Sequence, residues 1–270
     1  MPELPEVETI VRDLHQTLPG KTINNTQILQ SNVVQQSKKL FKSKLLGKTF
    51  KSIRRRGKNI LAHVDPECIL VVNLGMTGRL GFKDTDSVFT HPAVYFQLDN
   101  DDTLIYDDVR RFGTLNIFTE REWKERSKQL GPEPLSSSYK SADLHQKLVT
   151  SRAPIRSWLL NQKNVAGVGN IYANESLYLS GIHPGRSANS LTKLESNLLH
   201  QALQKTLSSA INNRGTTLRN YRDASGLKGT NGANLTVYGR EGESCVSCSE
   251  QVSRIVFSNR SAFFCPGCQK

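Results

Sequence analysis

No apolar run in this chain approaches the roughly 20 residues needed to cross a bilayer, and nothing at its start resembles a secretory signal. These absences lead us to expect a cytoplasmic, soluble protein. Methionine is scarce, with Met76 the only one besides Met1. Acidic residues are outnumbered, 24 against 36 lysines and arginines, and the resulting charge of +12 favours a polyanionic partner such as nucleic acid. Cysteine is nearly absent from the first 244 residues, where Cys68 stands alone in the apolar run Cys68-Ile69-Leu70-Val71-Val72 and reads as a small core residue. With 270 residues, 37% of them hydrophobic, the chain can form two or three small units rather than one large core.

The remaining cysteines form two pairs, Cys245-Val-Ser-Cys248 and Cys265-Pro-Gly-Cys268, sixteen residues apart. That is zinc-ribbon spacing. Each turn aims two thiolates at one point, and two turns complete a tetrahedral shell for one Zn²⁺. Four sulphur ligands leave no open position, so the expected metal is structural. Val252 to Phe264, between the pairs, reads as a β-hairpin turning at Ser258-Asn259, with Arg254 and Arg260 its only charges.

At the other end, Pro2 follows Met1 directly in Met1-Pro2-Glu3-Leu4-Pro5-Glu6-Val7-Glu8. Removal of Met1 would leave a secondary amine. A terminal amine titrates near ~8 against ~10.4 for lysine, so an appreciable fraction is uncharged and nucleophilic at neutral pH. Attack on a carbonyl-like carbon would give a cationic iminium, an electron sink that promotes bond cleavage next to it. Glu3 and Glu6 are near enough in sequence for proton transfer.

From Pro5 to Leu18, apolar residues at Val7, Ile10, Val11, Leu14 and Leu18 mark one helical face, and Pro19-Gly20 ends it. From Lys21 to about Thr119 short β-branched and aromatic runs alternate with polar turns, the pattern of an antiparallel sandwich or barrel with one packed helix. A helix over 120–130 and a Pro/Ser-rich linker over 131–138 follow. Helices are then predicted over 141–151, 155–162, 170–179 and 192–213. The turn Gly167-Val168-Gly169-Asn170 precedes one of them and could bring amides close to a phosphate. The glycine-bearing stretch after Arg214 has no apolar period and reads as a mobile loop.

The N-terminal motif, Gly167-Val168-Gly169-Asn170-Ile171-Tyr172-Ala173-Asn174-Glu175, Val237-Tyr238-Gly239-Arg240 and the terminal cysteine pairs, taken in order, resemble the bacterial formamidopyrimidine-DNA glycosylase family over essentially the whole chain. The resemblance implies an α+β multidomain fold: an N-terminal β-sandwich over 2–130, a helix-two-turn-helix domain with a lesion loop over 131–235, and a zinc finger over 236–270. It implies a monomer that excises oxidised purines from double-stranded DNA, which would lie in a cleft between the halves, and then cleaves the abasic strand. Pro2 would be the nucleophile, Glu3 the acid, Lys58 the β-elimination lysine and Arg260 the δ-elimination arginine. Met76, Arg110 and Phe112 would fill the void left by the flipped nucleotide. His91, Asn170 and the segment Arg152 to Arg156 would contact phosphates, with Glu6 and Glu175 counted in the same DNA-facing set.

Asn73, where the family often has histidine, and Arg156 and Arg219, where lysine is common, depart from its pattern, as does the segment 224–234. Two other readings stay open on the sequence: an endonuclease VIII-like glycosylase for oxidised pyrimidines, against which Leu4 argues, and a non-catalytic zinc-ribbon protein that binds damaged DNA.

Overall fold

The computed structural model describes residues 2–65, 68–83, 89–257 and 259–270. They form two compact units, one of residues 1–129 and 213–232, the other of 130–212 and 233–270. The predicted turn residue Ser258 lies outside the described residues.

The first unit runs α1 (Leu4–Thr17), β1 (Ile23–Ile28), α2 (Lys38–Leu45), β2 (Phe50–Arg56), β3 (Asn59–Val64), β4 (Cys68–Asn73), β5 (Gly78–Phe82), β6 (Pro92–Leu98), β7 (Thr103–Asp108), β8 (Thr114–Thr119) and α3 (Glu120–Ser127). Two antiparallel four-stranded sheets, ordered β1-β6-β7-β5 and β2-β3-β4-β8, resolve the sandwich-or-barrel expectation as a sandwich. Strand alternation assigns side chains to two cores. Ile60, Ala62, Leu70 and Val72 join Val94, Phe96 and Leu104 of the other sheet in the central core. Their neighbours Leu61, Ile69 and Val71 point the opposite way and are covered by Trp123 of α3. Helix α1 buries Val7, Ile10, Val11 and Leu14 in the central core, worth about 1.5–3 kcal/mol for each large side chain taken fully from water.

In the second unit α4 (Ser141–Leu148), α5 (Ile155–Leu160), α6 (Asn170–Leu179) and α7 (Lys193–Asn212) precede a hairpin of β9 (Ser253–Phe257) and β10 (Arg260–Phe264). The buried stripe of α7 is Leu199, Leu203, Leu207 and Ile211, whereas Leu194 and Leu198 are exposed. Among the described residues no helix is long and apolar enough to cross a membrane.

Segment 213–232, expected to be a mobile loop of the helical domain, folds into the first unit. Its two ends close on each other: Thr230 N–H donates to Asn213 O at 2.9 Å and Asn231 N–H to Gly215 O at 3.1 Å. Gly229 has to be glycine there, because a Cβ would stand 2.2 Å from the Gly215 carbonyl oxygen.

Candidate functional site

The N-terminal site begins with Pro2, which is buried. Glu3 follows as the N-cap of α1, 2% exposed. Glu6, 1% exposed, accepts the Glu3 N–H on Oε2 at 2.8 Å and the Thr216 N–H on Oε1 at 2.7 Å. One carboxylate therefore ties the residue next to Pro2 to the 213–232 segment, in sequence more than two hundred residues away. Gly215 makes this approach possible: its φ is +79°, and a Cβ would meet Glu6 Oε1 at 2.9 Å. Two residues on, Glu8 accepts Arg55 Nε at 2.9 Å. Burial pushes the Glu8 carboxyl upward, but the Arg55 and Arg12 guanidiniums outweigh it and hold the group below its ordinary value. Arg55 also donates to Gly57 O at 3.0 Å and so fixes the β2–β3 turn that carries half-buried Lys58 against α1.

Asn73, at the end of β4, joins that turn to the next. Its Nδ2 donates to Asn59 Oδ1 at 3.0 Å, and its Oδ1 accepts the Gly75 N–H at 3.0 Å. Met76, 40% exposed, sits at the tip of this second turn. Gly75 lies against the backbone of residues 112–113, where a Cβ would meet Gly113 N at 2.6 Å. Met76 is thereby brought beside the loop of Arg110 and Phe112. Phe112 is 57% exposed and the Arg110 guanidinium lies over its ring at 4.5 Å. Neither Met76 nor Phe112 belongs to the core.

The fully buried carboxylate of Asp108 organises both turns. It accepts Thr77 Oγ1 at 2.5 Å, Gly113 N–H at 2.8 Å, Arg110 N–H at 3.2 Å and Tyr106 O–H at 3.2 Å. Burial and the adjacent carboxylate push the Tyr106 phenol far up, so it remains the donor. Beside it Asp107 accepts the His91 N–H at 2.5 Å, and Arg111 donates to His91 O at 2.8 Å. The exposed His91 thus stands on the same platform. Arg111 adopts φ +57°, a left-handed conformation uncommon for a long side chain, inside this loop.

In the second unit the turn before α6 is held from within: Gln162 accepts the Gly167 N–H at 2.9 Å and donates to Val168 O at 2.8 Å. Asn170 opens α6, its Oδ1 taking Arg156 Nη2 at 2.5 Å and its Nδ2 donating to Ser261 O at 3.2 Å. Arg156, 1% exposed, donates also to Ser261 O at 2.9 Å. Burial and the nearby Arg260 charge lower its pKa. The start of β10, which carries exposed Arg260, is thus fastened to the positive end of α6. Arg254, the other hairpin arginine, is engaged by Glu241 at 2.8 Å and Ser261 Oγ at 2.9 Å.

The sulphurs of Cys245, Cys248, Cys265 and Cys268 lie within 4.8 Å of one another, with 3.8 Å between Cys245 and Cys268 and 3.3 Å between Cys248 and Cys265. These distances are too long for a disulfide, about 2.05 Å. A tetrahedral metal with bonds of about 2.3 Å places its sulphurs about 3.8 Å apart, so the four cysteines can hold one metal ion.

The profile described as the formamidopyrimidine-DNA glycosylase N-terminal domain matches residues 1–115, and that of the formamidopyrimidine-DNA glycosylase H2TH domain matches residues 130–222. The formamidopyrimidine-DNA glycosylase of Desulforamulus reducens is 42% identical over 275 residues, which cover 100% of this chain and 99% of that protein. The chain belongs to the formamidopyrimidine-DNA glycosylase family. The Chloroflexus aurantiacus glycosylase is 40% identical over 271 residues, covering 100% of this chain and 98% of its own. A Lactococcus lactis glycosylase variant, solved in complex with Fapy-dG-containing DNA, superposes with a TM-score of 0.94 at 33% identity over 100% of both chains.

Within this glycosylase fold the residues singled out from sequence divide by environment. Met76, His91, Arg110, Phe112, Arg152 and Arg260 present exposed side chains. Glu6 and Glu175 do not. Glu175, 6% exposed, accepts the N–H groups of Thr236 at 2.8 Å, Val237 at 3.0 Å and Tyr238 at 2.8 Å, anchoring the segment that leads into the cysteine turns. Arg156, expected among the phosphate contacts, is instead a buried strut behind Asn170. Sequence reasoning passed over Asp107 and Asp108. Two consecutive acids ending a β-branched run were the available sign, since one of any two neighbours in a strand of this sandwich must face inward.

Proposed function

We propose that the protein is a bifunctional DNA glycosylase and AP lyase that removes oxidised purines, 8-oxoguanine and formamidopyrimidines, from double-stranded DNA, and that it acts as a monomer. The carrying observation is the exposed trio Met76, Arg110 and Phe112, held on two turns joined backbone to backbone, in the unit whose helix α1 begins just after Pro2. Extruding a base costs a few kcal/mol of stacking and pairing. An unbranched thioether and an exposed ring suit the vacated space, while an arginine fork suits the orphaned partner base.

With Met1 removed, the Pro2 nitrogen attacks C1′ as the purine departs with the electrons of the glycosidic bond and gains a proton. Loss of the proton on nitrogen and opening of the sugar, with Glu3 protonating the ring oxygen, give an iminium. Its electron demand acidifies C2′, and loss of that proton expels the 3′ phosphate. A second proton loss, from C4′, expels the 5′ phosphate, and hydrolysis of the iminium returns the free amine. Lys58 serves the first elimination and Arg260 the second; His91, Arg152 and Asn170 contribute phosphate contacts. The amine carries the covalent chemistry. Zn²⁺ fits the four thiolates, and with every ligand position filled by sulphur it serves to hold the hairpin that presents Arg260.

Borohydride trapping followed by intact-mass measurement tests the reading. With 8-oxoguanine opposite cytosine, the expected product is one protein lacking Met1, bonded to the DNA remnant after loss of the base. Absence of that adduct on both lesion-bearing and abasic duplexes would refute it.

A further inference from the structure

Glu6 and Asp13 lie seven residues apart on α1, on one face of the helix, and both hold the 213–232 segment. Glu6 takes the Thr216 N–H at 2.7 Å, whereas Asp13 accepts Arg214 Nη2 at 2.9 and 2.7 Å on its two oxygens. The same guanidinium reaches Asp223, with Nε at 2.9 Å and Nη2 at 2.5 Å on Oδ2. Asp223 is fully buried at its side chain, and its other oxygen accepts the N–H groups of Ser225 at 3.0 Å and Leu227 at 2.8 Å. Its neighbour Ala224 rests on β5, where a Cβ on Gly81 would meet Ala224 O at 2.5 Å. One arginine, itself at φ +57°, therefore links the helix that begins beside Pro2 to the turn at the far end of the segment. The glycosylase reaction requires two things of this end of α1: a nucleophile, and a wall that keeps one base and rejects others. Pro2 supplies the first. The 213–232 segment is tied through Glu6 to Glu3, the residue next to Pro2.

We infer that the Asp13–Arg214–Asp223 bridge is a positioning device for base selection, an inference that rests on the proposed glycosylase activity. Cutting it leaves Pro2, Glu3 and Glu6 in place. It frees the far turn of the segment, because a guanidinium shared between two carboxylates is lost and the buried Asp223 oxygen loses its cation. The bridge then matters for substrates that carry a base and is irrelevant for those that carry none. Arg214→Gln and Asp223→Asn are expected to lower kcat/KM for base release from damaged duplex at least about tenfold, while strand cleavage and borohydride trapping on an abasic duplex stay within about twofold. Arg214→Lys, which keeps the charge but loses the fork, is expected to fall between. Abasic cleavage doubles as the check that each variant is folded. Equal losses on both substrates, or no loss on either, would overturn the inference. A wild-type protein that cleaves abasic DNA yet releases no base from any damaged duplex would overturn the glycosylase reading itself, and this inference with it.

Discussion

The two units hold their working residues by opposite electrostatic means. In the sandwich unit, buried carboxylates gather backbone N–H groups: Glu6 those of Glu3 and Thr216, Asp108 those of Arg110 and Gly113, Asp107 that of His91. In the helical unit a buried cation, Arg156, gathers oxygens of Asn170 and Ser261, and a cluster of four sulphurs closes the hairpin. The difference follows from what each unit must present. The loop of Met76, Arg110 and Phe112, which we propose reaches between bases, exposes apolar side chains, and its backbone is secured from beneath by buried acceptors. A hairpin presenting an arginine has too small a core of its own, and the four clustered cysteines can fix it by holding a metal ion. Placing Arg156 behind it adds positive potential where phosphate would arrive.

If the covalent step belongs to the sandwich unit, blocking the Pro2 amine is the most severe change available. An N-terminal extension that leaves Pro2 internal is expected to abolish trapping, a loss of at least about 10³-fold, because no uncharged amine replaces it. DNA affinity measured by titration should persist, since the exposed residues of both units are untouched. Loss of binding together with trapping would contradict this division of labour.

Metal removal probes the other side. Chelation or Cys265→Ser is expected to unfold the 245–268 hairpin and weaken duplex binding about 10- to 100-fold. The main thermal transition of the sandwich should remain, its core containing none of these cysteines. Full binding at a measured metal content near zero would show that Arg260 needs no such support. Asp108→Asn should do less. The amide presents one acceptor atom where two carboxylate oxygens served four donors, a cost of about 1–3 kcal/mol for a group left unsatisfied. Base release from duplex is expected to drop about tenfold or more. A lesion opposite a gap, which leaves no partner base to hold, should be affected less. Identical losses on the two substrates would indicate general destabilisation.

These supports were the least legible part of the chain. Helix α1, the limits of α6 and the cysteine turns follow from local signals: an apolar stripe at helical spacing, a Gly-Asn start, and ligand spacing. By contrast, β5 contains two glycines in five residues, and β1 has four polar residues between its two isoleucines, so neither shows a strand period. In α2, Phe41 and Leu45 are the only buried residues among four lysines, and the helix went unseen inside a β-rich stretch. The exposed candidate residues were named from motif register. The buried polar ones were not assigned their work, because the need for Glu6 arises at Thr216 and that for Arg156 at Ser261, separations that no window along the sequence covers.

The smallest expected effect separates the units by acid response. Glu195 caps α7: its Oε2 accepts the Thr192 N–H at 2.8 Å, and both its oxygens engage Arg186. The Arg186 hydrogen bond, opposed by burial and aided by Thr192, lowers its pKa to about 2. A depressed carboxylate contributes stability that is fully present above its unfolded value, about 4.5, and that is lost as pH falls toward about 2. Solvent reaches a quarter of both side chains, 26% for each, so the pair is worth only about 1 kcal/mol. Glu195→Gln should therefore flatten part of the acid limb of the helical unit's stability between those pH values and change little at pH 7 beyond that amount. In the sandwich unit, the Glu8 carboxyl is depressed in the same direction by Arg55 and Arg12, and Glu8→Gln should flatten that unit's limb independently. A double variant whose acid sensitivity falls short of the two changes added together would reveal coupling between the two sites.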